Sequence, residues 1–409
     1  MFIINICLLV RMMALEASEF VPEDIISSMP DSVITNILQR LPLQDAVRTG
    51  ILSRNWRFKW TMLTQLIFDT NFFAHLIERR GENTFGMIIS RLLLHLNSAI
   101  TKSVLVLTVL DIVDIHHLIL FLSEKGIKDL TLTNWCKPQV KLPTHLFSCL
   151  ELKHLNISGC CFNPPPSFRG FPNLLSLELC NVQFGGDLGE FLIQCPLLES
   201  LDLGYLSYSG NLKPAEIAKL ENLKILSLSL CHLETTTTTS SCDVFELLRY
   251  LPKLQELGLD FHDYKLTEGG ARKKFPTAFP SLKAIKLTRI RFSNGVMLSF
   301  ALETIRHFSN LQTLEITGIM HLVDDPVPVL IPIPEVEYNT MELRSVVVND
   351  FKGSENEVYL LKYFLACSPS LKKIVIHPDW SLALGEQFML AKKLLKLHRA
   401  SPIAEIHFD

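Results

Sequence analysis

Residues 174–179 read LLSLEL, residues 198–203 read LESLDL and residues 223–228 read LKILSL. The common unit is L-x-x-L-x-L. In a short strand, successive side chains point to opposite faces. The fourth and sixth positions therefore share one face, and the third and fifth share the other. Outward from these three, the unit recurs with any apolar residue allowed at each leucine. Toward the N-terminus it reads Val104-Leu107-Val109, Ile127-Leu130-Leu132 and Leu152-Leu155-Ile157. Toward the C-terminus it reads Leu254-Leu257-Leu259, Leu282-Ile285-Leu287, Leu311-Leu314-Ile316, Leu343-Val346-Val348 and Leu371-Ile374-Ile376. The first six starts are 22 to 25 residues apart and the later ones 28 to 32. One match to so short a template carries no weight. Eleven in series predict a curved α/β solenoid that adds one parallel strand per repeat.

The remainder of each repeat fits that architecture. Cys160 and Phe162, Val182 and Phe184, Cys231 and Leu233, and Ile290 and Phe292 supply apolar ninth and eleventh positions that turn the chain inward after the strand. Return helices are predicted over Asp187–Gln194, Cys242–Leu251, Met297–Phe308 and Glu355–Cys367. Three loops interrupt the pattern: Asn163–Pro166, the low-complexity Thr235–Ser241, and Pro326–Pro334, whose prolines exclude a central strand.

Ahead of the repeats lies Met29–Leu63, MPDSVITNILQRLPLQDAVRTGILSRNWRFKWTML. Asp31 or Ser32 is the expected N-cap of a first helix, with Val33, Ile34, Ile37, Leu38 and Leu41 on one face and Pro42 as its stop. Leu43, Ala46 and Val47 open a second helix, and Trp56 and Trp60 at i, i+4 mark a third. Such a packet is too small to bury all of its apolar side chains, so the surplus points to a docking face.

The pairs Met29-Pro30, Ile37-Leu38, Leu41-Pro42, Asp45-Ala46, Arg48-Thr49 and Leu52-Ser53, followed by Trp56 and Trp60, resemble the F-box of plant F-box proteins. Met29 stands where leucine is usual, and Gly50 where serine is commoner. From Met341 the chain resembles the FBD region that accompanies such proteins. The resemblance rests on Leu343–Val348, Phe351-Lys352-Gly353, Ser368–Ile376 and Leu394–Ile406. The order F-box, leucine-rich repeats, FBD is that of the plant F-box/FBD/LRR-repeat family. The expected organisation is an extension over 1–22, an F-box over 23–69, a linker helix region over 70–103, repeats over 104–340 and an FBD over 341–409 that completes the solenoid.

The resemblance implies a substrate-recognition subunit of a Skp-cullin-F-box ubiquitin ligase. The F-box would dock on a Skp-type adaptor and through it reach a cullin and a RING subunit. The repeats would hold an unknown protein substrate. A leucine-rich-repeat scaffold outside any ligase is the alternative. For adaptor docking the expected residues are Pro30, Ile34, Leu38, Leu41, Pro42, Leu43, Val47, Leu52, Trp56 and Trp60, although half of them could equally hold the packet together. For substrate the solvent-facing third and fifth positions are expected: His154, Asn156, Glu178, Asp202, Glu256, Lys286 and Glu315. Glu178, Asp202, Glu256 and Asp260 make the middle repeats acidic. Lys283, Lys286, Arg289 and Arg291 make a later strand basic, which suggests a bipolar face.

Composition narrows the rest. Apolar residues make up 48% of the 409-residue chain, which suits one continuous solenoid core. A net charge of −3 argues against nucleic-acid binding through a basic surface. The ten cysteines include no C-x-x-C pair, so neither a zinc module nor a disulfide framework is expected, and buried reduced thiols are. No phosphate loop, G-x-S-x-G or H-E-x-x-H occurs, so no catalytic residue, metal or cofactor is expected. His116-His117 reads as a solvated helix start, and Arg272-Lys273-Lys274 as a solvated loop. MFIINICLLV, residues 1–10, is half the length of a membrane span and lacks the preceding positive charge of a signal peptide. The expected location is nuclear or cytoplasmic, without membrane contact.

Overall fold

The computed structural model describes residues 28–74, 85–107, 115–204, 206–208, 214–230, 248, 250–262, 281–308, 310–319 and 341–408. The N-terminal stretch 1–10, the threonine run, the proline-rich loop 326–334, Arg272–Lys274, Cys231, Leu233, Val109 and most of 242–251 lie outside them. The chain forms two compact units, residues 1–127 and 128–409.

In the first unit, α1 (Asp31–Leu38) starts directly after Pro30 and α2 (Leu43–Arg48) directly after Pro42. Both prolines hold the fixed φ that leads into a helix, −54° and −51°. Neither helix has a side-chain cap. The expected Asp31 or Ser32 cap is therefore corrected: Asp31 is already helical and its carboxylate pairs with Lys59 instead. The expected third helix is also replaced. Main-chain bonds from Leu52 to Thr49 (3.0 Å), Trp56 to Ser53 (3.2 Å) and Lys59 to Trp56 (3.2 Å) span three residues each, and they wind the segment into tight turns. A β-carbon on Gly50 would lie 3.0 Å from the Arg57 carbonyl oxygen, so glycine lets these turns close on one another.

The unit continues through β1 (Gln65–Phe68), α3 (Phe85–His95), β2 (Lys102–Leu107) and α4 (Ile115–Glu124). β1 and β2 pair in parallel, with Gln65 opposite Lys102. The core side of β2 is Ser103, Leu105 and Leu107: Leu107 is buried as its fourth position requires, Val104 is only half-buried where the template starts, and Val109 lies outside the described residues. Among the described residues no helix is long and apolar enough to cross a membrane.

The second unit is the repeat array. It runs β3 (Asp129–Asn134), β4 (Val140–Lys141), β5 (His154–Ser158), β6 (Cys160–Phe162), β7 (Ser176–Cys180), β8 (Val182–Phe184), α5 (Leu188–Ile193), β9 (Ser200–Leu203), β10 (Leu206–Tyr208), α6 (Pro214–Ile217), β11 (Ile225–Ser229), β12 (Glu256–Asp260), β13 (Ala284–Ile290), α7 (Gly295–His307), β14 (Thr313–Gly318), β15 (Ser345–Phe351), α8 (Glu355–Cys367), β16 (Lys373–Pro378), α9 (Leu384–Leu394) and β17 (Glu405–Phe408). Strands β3, β5, β7, β9, β11 and β12 to β17 form one parallel sheet in that order. Strand β17 extends it beyond the repeats read from the sequence.

The register aligns every template leucine. Leu130, Leu155, Leu177, Leu201, Leu226, Leu257, Ile285, Leu314, Val346 and Ile374 make one buried column. The sixth-position residues, from Leu132 to Ile376, make a second. Each such side chain contributes roughly 1.5–3 kcal/mol by leaving water. Strands β4, β6, β8 and β10 form a second parallel sheet built on the ninth and eleventh positions, and Cys160, Phe162, Val182 and Phe184 are buried there. Phe147, Phe168, Phe171 and Phe191 close over them with ring centroids 4.8 to 6.4 Å apart.

Helix ends in this unit are capped from the side chain where the sequence allows. Asp187 accepts a bond from the Glu190 N–H (2.9 Å), and Ser354 with Glu357 forms a reciprocal capping box. The seven described cysteines form no disulfide with one another, and burial raises the thiol pKa of Cys149 and Cys160 to about 12. Those two thiols stay protonated and inert.

One buried charge supports the C-terminal repeats. Asp379 accepts bonds from the Ser381 N–H (2.8 Å) and hydroxyl, and it faces Lys352 at 3.8 Å. Burial alone would raise its pKa, but the Ser381 bonds and Lys352 outweigh that and hold it below the ordinary aspartate value. A carboxylate lowered in the folded state adds stability above its unfolded pKa and loses it as pH falls through the folded one. The Asp379→Asn variant should therefore melt below the wild type at pH 7, and the gap should narrow as pH falls below 4, the unfolded value being about 3.9. Thermal melts across pH 3 to 7 check this.

Candidate functional site

Two surfaces carry the residues singled out in the sequence. On the helical packet, Ile34, Leu38, Leu43 and Trp56 are buried. These four take the second of the two roles open to them: their side chains hold α1, α2 and the turns together. Leu41, Val47 and Trp60 are half-buried, and Pro30, Pro42 and Leu52 are exposed. The Trp60 ring lies 6.1 Å from that of His95. Leu41 and Pro42 line a cleft of about 280 Å³ with Leu63 and Ile67.

The packet also exposes Val33, Ile37, Phe58 and above all Ile51, at 87%. Sequence reasoning placed Val33 and Ile37 on the same helix face as Ile34 and Leu38. A step of one residue turns a helix by about 100°, so the pairs separate: 34 and 38 face inward, 33 and 37 outward. Ile51 could have been found from its place in a turn that no i, i+4 partner follows.

On the repeat unit, the sheet face opposite the core presents two rows. Asn156, Glu178, Asp202, Ser227, Gly258, Lys286 and Glu315 stand side by side in register on successive strands. Five of the seven expected substrate residues fall in this row. His154 and Glu256 fall in the row beside it. Neighbouring strands are about 4.8 Å apart, so adjacent side chains interact. Asn156 donates to the Glu178 carboxylate. Burial raises the Glu178 pKa, and the charge of Asp202 on the next strand raises it further. Asp202 is raised chiefly by burial; a bond from Ser227 and the charge of Lys286 lower it, and Asp260 raises it.

Two of the four basic residues are paired with carboxylates. Lys286 meets Glu315 at 3.1 Å and Arg289 meets Asp260 at 3.4 Å. Asn349, which the sequence reading missed because it lies one position beyond the template, donates to Glu315 (3.1 Å) and to Thr317 (3.2 Å). Between the halves, Gly258 leaves the row without a side chain, and a β-carbon there would lie 2.8 Å from the Ser227 hydroxyl oxygen. The row is thus a polar strip with an acidic pair, a central notch and a neutralised basic end. Among the described residues no group of three His, Cys, Asp or Glu side chains could hold a metal ion.

An N-terminal apolar packet followed by a parallel-stranded leucine-rich-repeat array with its own C-terminal extension defines the class. Family models match in the same order. An F-box domain covers residues 26–67, the LRR repeats of an FBD-associated F-box protein cover 115–213, and an FBD covers 337–376. The F-box/FBD/LRR-repeat protein At1g13570 of Arabidopsis thaliana is 30% identical over 94% of this chain and 98% of its own length. The putative F-box/FBD/LRR-repeat protein At5g52460 of the same plant is 25% identical over 94% and 96%. The FBD-associated F-box protein At4g10400 is 29% identical over 59% and 63%. The chain belongs to the F-box/FBD/LRR-repeat family.

The acidic pair gives a test of the row. A carboxyl raised in the folded state costs stability at pH 7, and that cost disappears as pH falls below the unfolded pKa. Glu178→Gln should therefore raise the melting temperature at pH 7 and leave it unchanged near pH 3, below the unfolded glutamate value of about 4.3. Equal melts at both pH values would show that folding does not raise the Glu178 carboxyl.

Proposed function

We propose that this chain is the non-catalytic substrate-recognition subunit of a Skp-cullin-F-box ubiquitin ligase. The observation that carries the reading is the division of labour in the packet. Ile34, Leu38, Leu43 and Trp56 suffice for its core, while Pro30, Val33, Ile37, Ile51, Leu52 and Phe58 keep apolar surface that no element of the packet covers. Exposed apolar groups clustered on so small a unit support a permanent partner. The Skp-type adaptor, and through it a cullin and a RING subunit, is the partner the family suggests. The residues proposed for that contact are the exposed ones, together with Leu41, Val47 and Trp60.

The polar row would hold the substrate. Tethering substrate lysines near a charged conjugating enzyme raises their effective concentration, and no catalytic group is needed on this chain. A cation on the substrate would relieve the repulsion between Glu178 and Asp202, so a basic segment fits that half of the row. A nuclear or cytoplasmic location belongs to the same reading and is checked by imaging a fluorescent fusion.

Co-purification with a Skp-type adaptor tests the proposal. Ile51→Glu should weaken the complex at an unchanged melting temperature, and the Leu41→Ala, Pro42→Ala double variant should weaken it as well. A buried hot spot is worth about 2 kcal/mol, roughly thirtyfold in Kd. Ile34→Ala should instead destabilise the packet by about 2–5 kcal/mol. A folded chain that forms no complex with the adaptor would leave the repeats as a binding scaffold alone. Once a substrate is in hand, Glu178→Lys with Asp202→Lys should abolish its capture, and undiminished binding would remove it from this row.

A further inference from the structure

The last repeat differs from those before it. Ile403, Ile406 and Phe408 take the template positions held one strand earlier by Leu371, Ile374 and Ile376, with Ile406 opposite Ile374 and Phe408 opposite Ile376. The three earlier residues are buried. Ile403 is 63% exposed, and Ile406 and Phe408 are only half-buried. Among the described residues the apolar column therefore ends on partly exposed side chains.

Helix α9 continues that surface. Leu384, Phe388 and Leu395 lie on one stripe of the helix, at spacings of four and seven, and Leu384 and Phe388 are 84% and 68% exposed. Leu390, on the opposite flank, reaches back over Gly353 of the preceding repeat, where a β-carbon would lie 2.5 Å from its Cδ1. The stripe thus faces away from the array. Lys392 and Lys396 border it on the solvent side.

The backbone edge of β17 is open as well. The Glu405 N–H donates to the Lys372 carbonyl (2.9 Å), so strand alternation turns the N–H and C=O of Ile406 and Phe408 outward. Among the described residues β17 has a strand neighbour on one side. Its sequence, Glu-Ile-His-Phe, contains neither the lysine nor the proline that commonly blunts a sheet edge. Solenoid ends are ordinarily closed by a polar outer face.

We propose that this end is a self-association surface, on which β17 and α9 pair about a two-fold axis with β17 and α9 of a second copy. The surface is complementary to itself. In an antiparallel pair centred on Ile406, the two Ile406 residues exchange both main-chain bonds, and Glu405 of each copy stands across from His407 of the other. Glu405 and His407 already attract within one chain, at 3.2 Å. The Leu384–Phe388–Leu395 stripes then meet, and the leucine-type columns of the two arrays join into one core. A dimer built this way carries two recognition rows. It stands whether or not the packet binds an adaptor.

Sedimentation velocity on the full chain, from about 1 to 50 µM, tests the proposal. The expected species has twice the 46.4 kDa chain mass. Phe388→Glu and, separately, Leu384→Glu should halve the mass while keeping the wild-type circular dichroism spectrum, since both side chains lie outside the core. Ile51→Glu, on the packet, should leave the dimer intact. A single-chain mass across the whole range overturns the proposal. So does a dimer that survives both α9 variants, or an end that a different protein occupies in place of a second copy.

Discussion

The repeat unit depends on one recurring hydrogen bond. The N–H just ahead of each strand donates to the carbonyl at the same place in the repeat before it. The links run Lys153 to Lys128, Leu175 to Lys153, Glu199 to Leu175, Lys224 to Glu199, Gln255 to Lys224, Lys283 to Gln255, Gln312 to Lys283, Arg344 to Gln312 and Lys372 to Arg344. All nine measure between 2.7 and 2.9 Å. Each link sets the register of the strand it opens, and a one-residue slip would turn every leucine to the wrong face. The buried columns and the polar rows are both products of that register. Repeat length is free to vary between links, which is why insertions of several residues after Leu223 leave the strand ladder undisturbed.

The helical packet is held by different means. Its helices are 8 and 6 residues long, too short to persist alone, and prolines rather than side-chain caps set their starts. Its cohesion comes from a handful of fully buried side chains, from the Asp31–Lys59 pair and from main-chain turns closed around Gly50. A unit with so few core residues has little apolar surface to spare before it needs a neighbour. In the repeat array the same composition is absorbed inside, strand after strand.

Much of the repeat array could be read from the sequence, because a period-two pattern repeated ten times leaves one consistent alternation. Leu177, Leu201 and Leu226 fell where the template put them, and so did Glu178 and Asp202 on the other face. In the first repeat the alternation holds at Leu107, and the strand reaches back through Leu105 to Ser103, a buried polar residue that the template does not show. Ile403-Ile406-Phe408 fits the template too, 32 residues after Leu371. It lies inside the stretch that resembles an FBD. In the packet the helices were readable and the roles were not. Ile34 and Ile37, or Trp56 and Trp60, are alike in type. What separates core from surface is the angle at which three short elements meet, and a linear pattern does not encode that angle. Pairings such as Lys286 with Glu315, or Arg289 with Asp260, likewise need the register between strands far apart in sequence.

The strict alternation of the strands has an evolutionary corollary. Residues of the outward rows, such as Asn156, Glu178 and Lys286, never contribute to the buried columns, and residues of the columns never reach the outward face. Surface and folding are therefore written in separate letters of the same short word. A duplicated gene can rewrite the outward letters one at a time without risking the fold. A family built on this plan can multiply into many members that share a scaffold and differ in their outward rows.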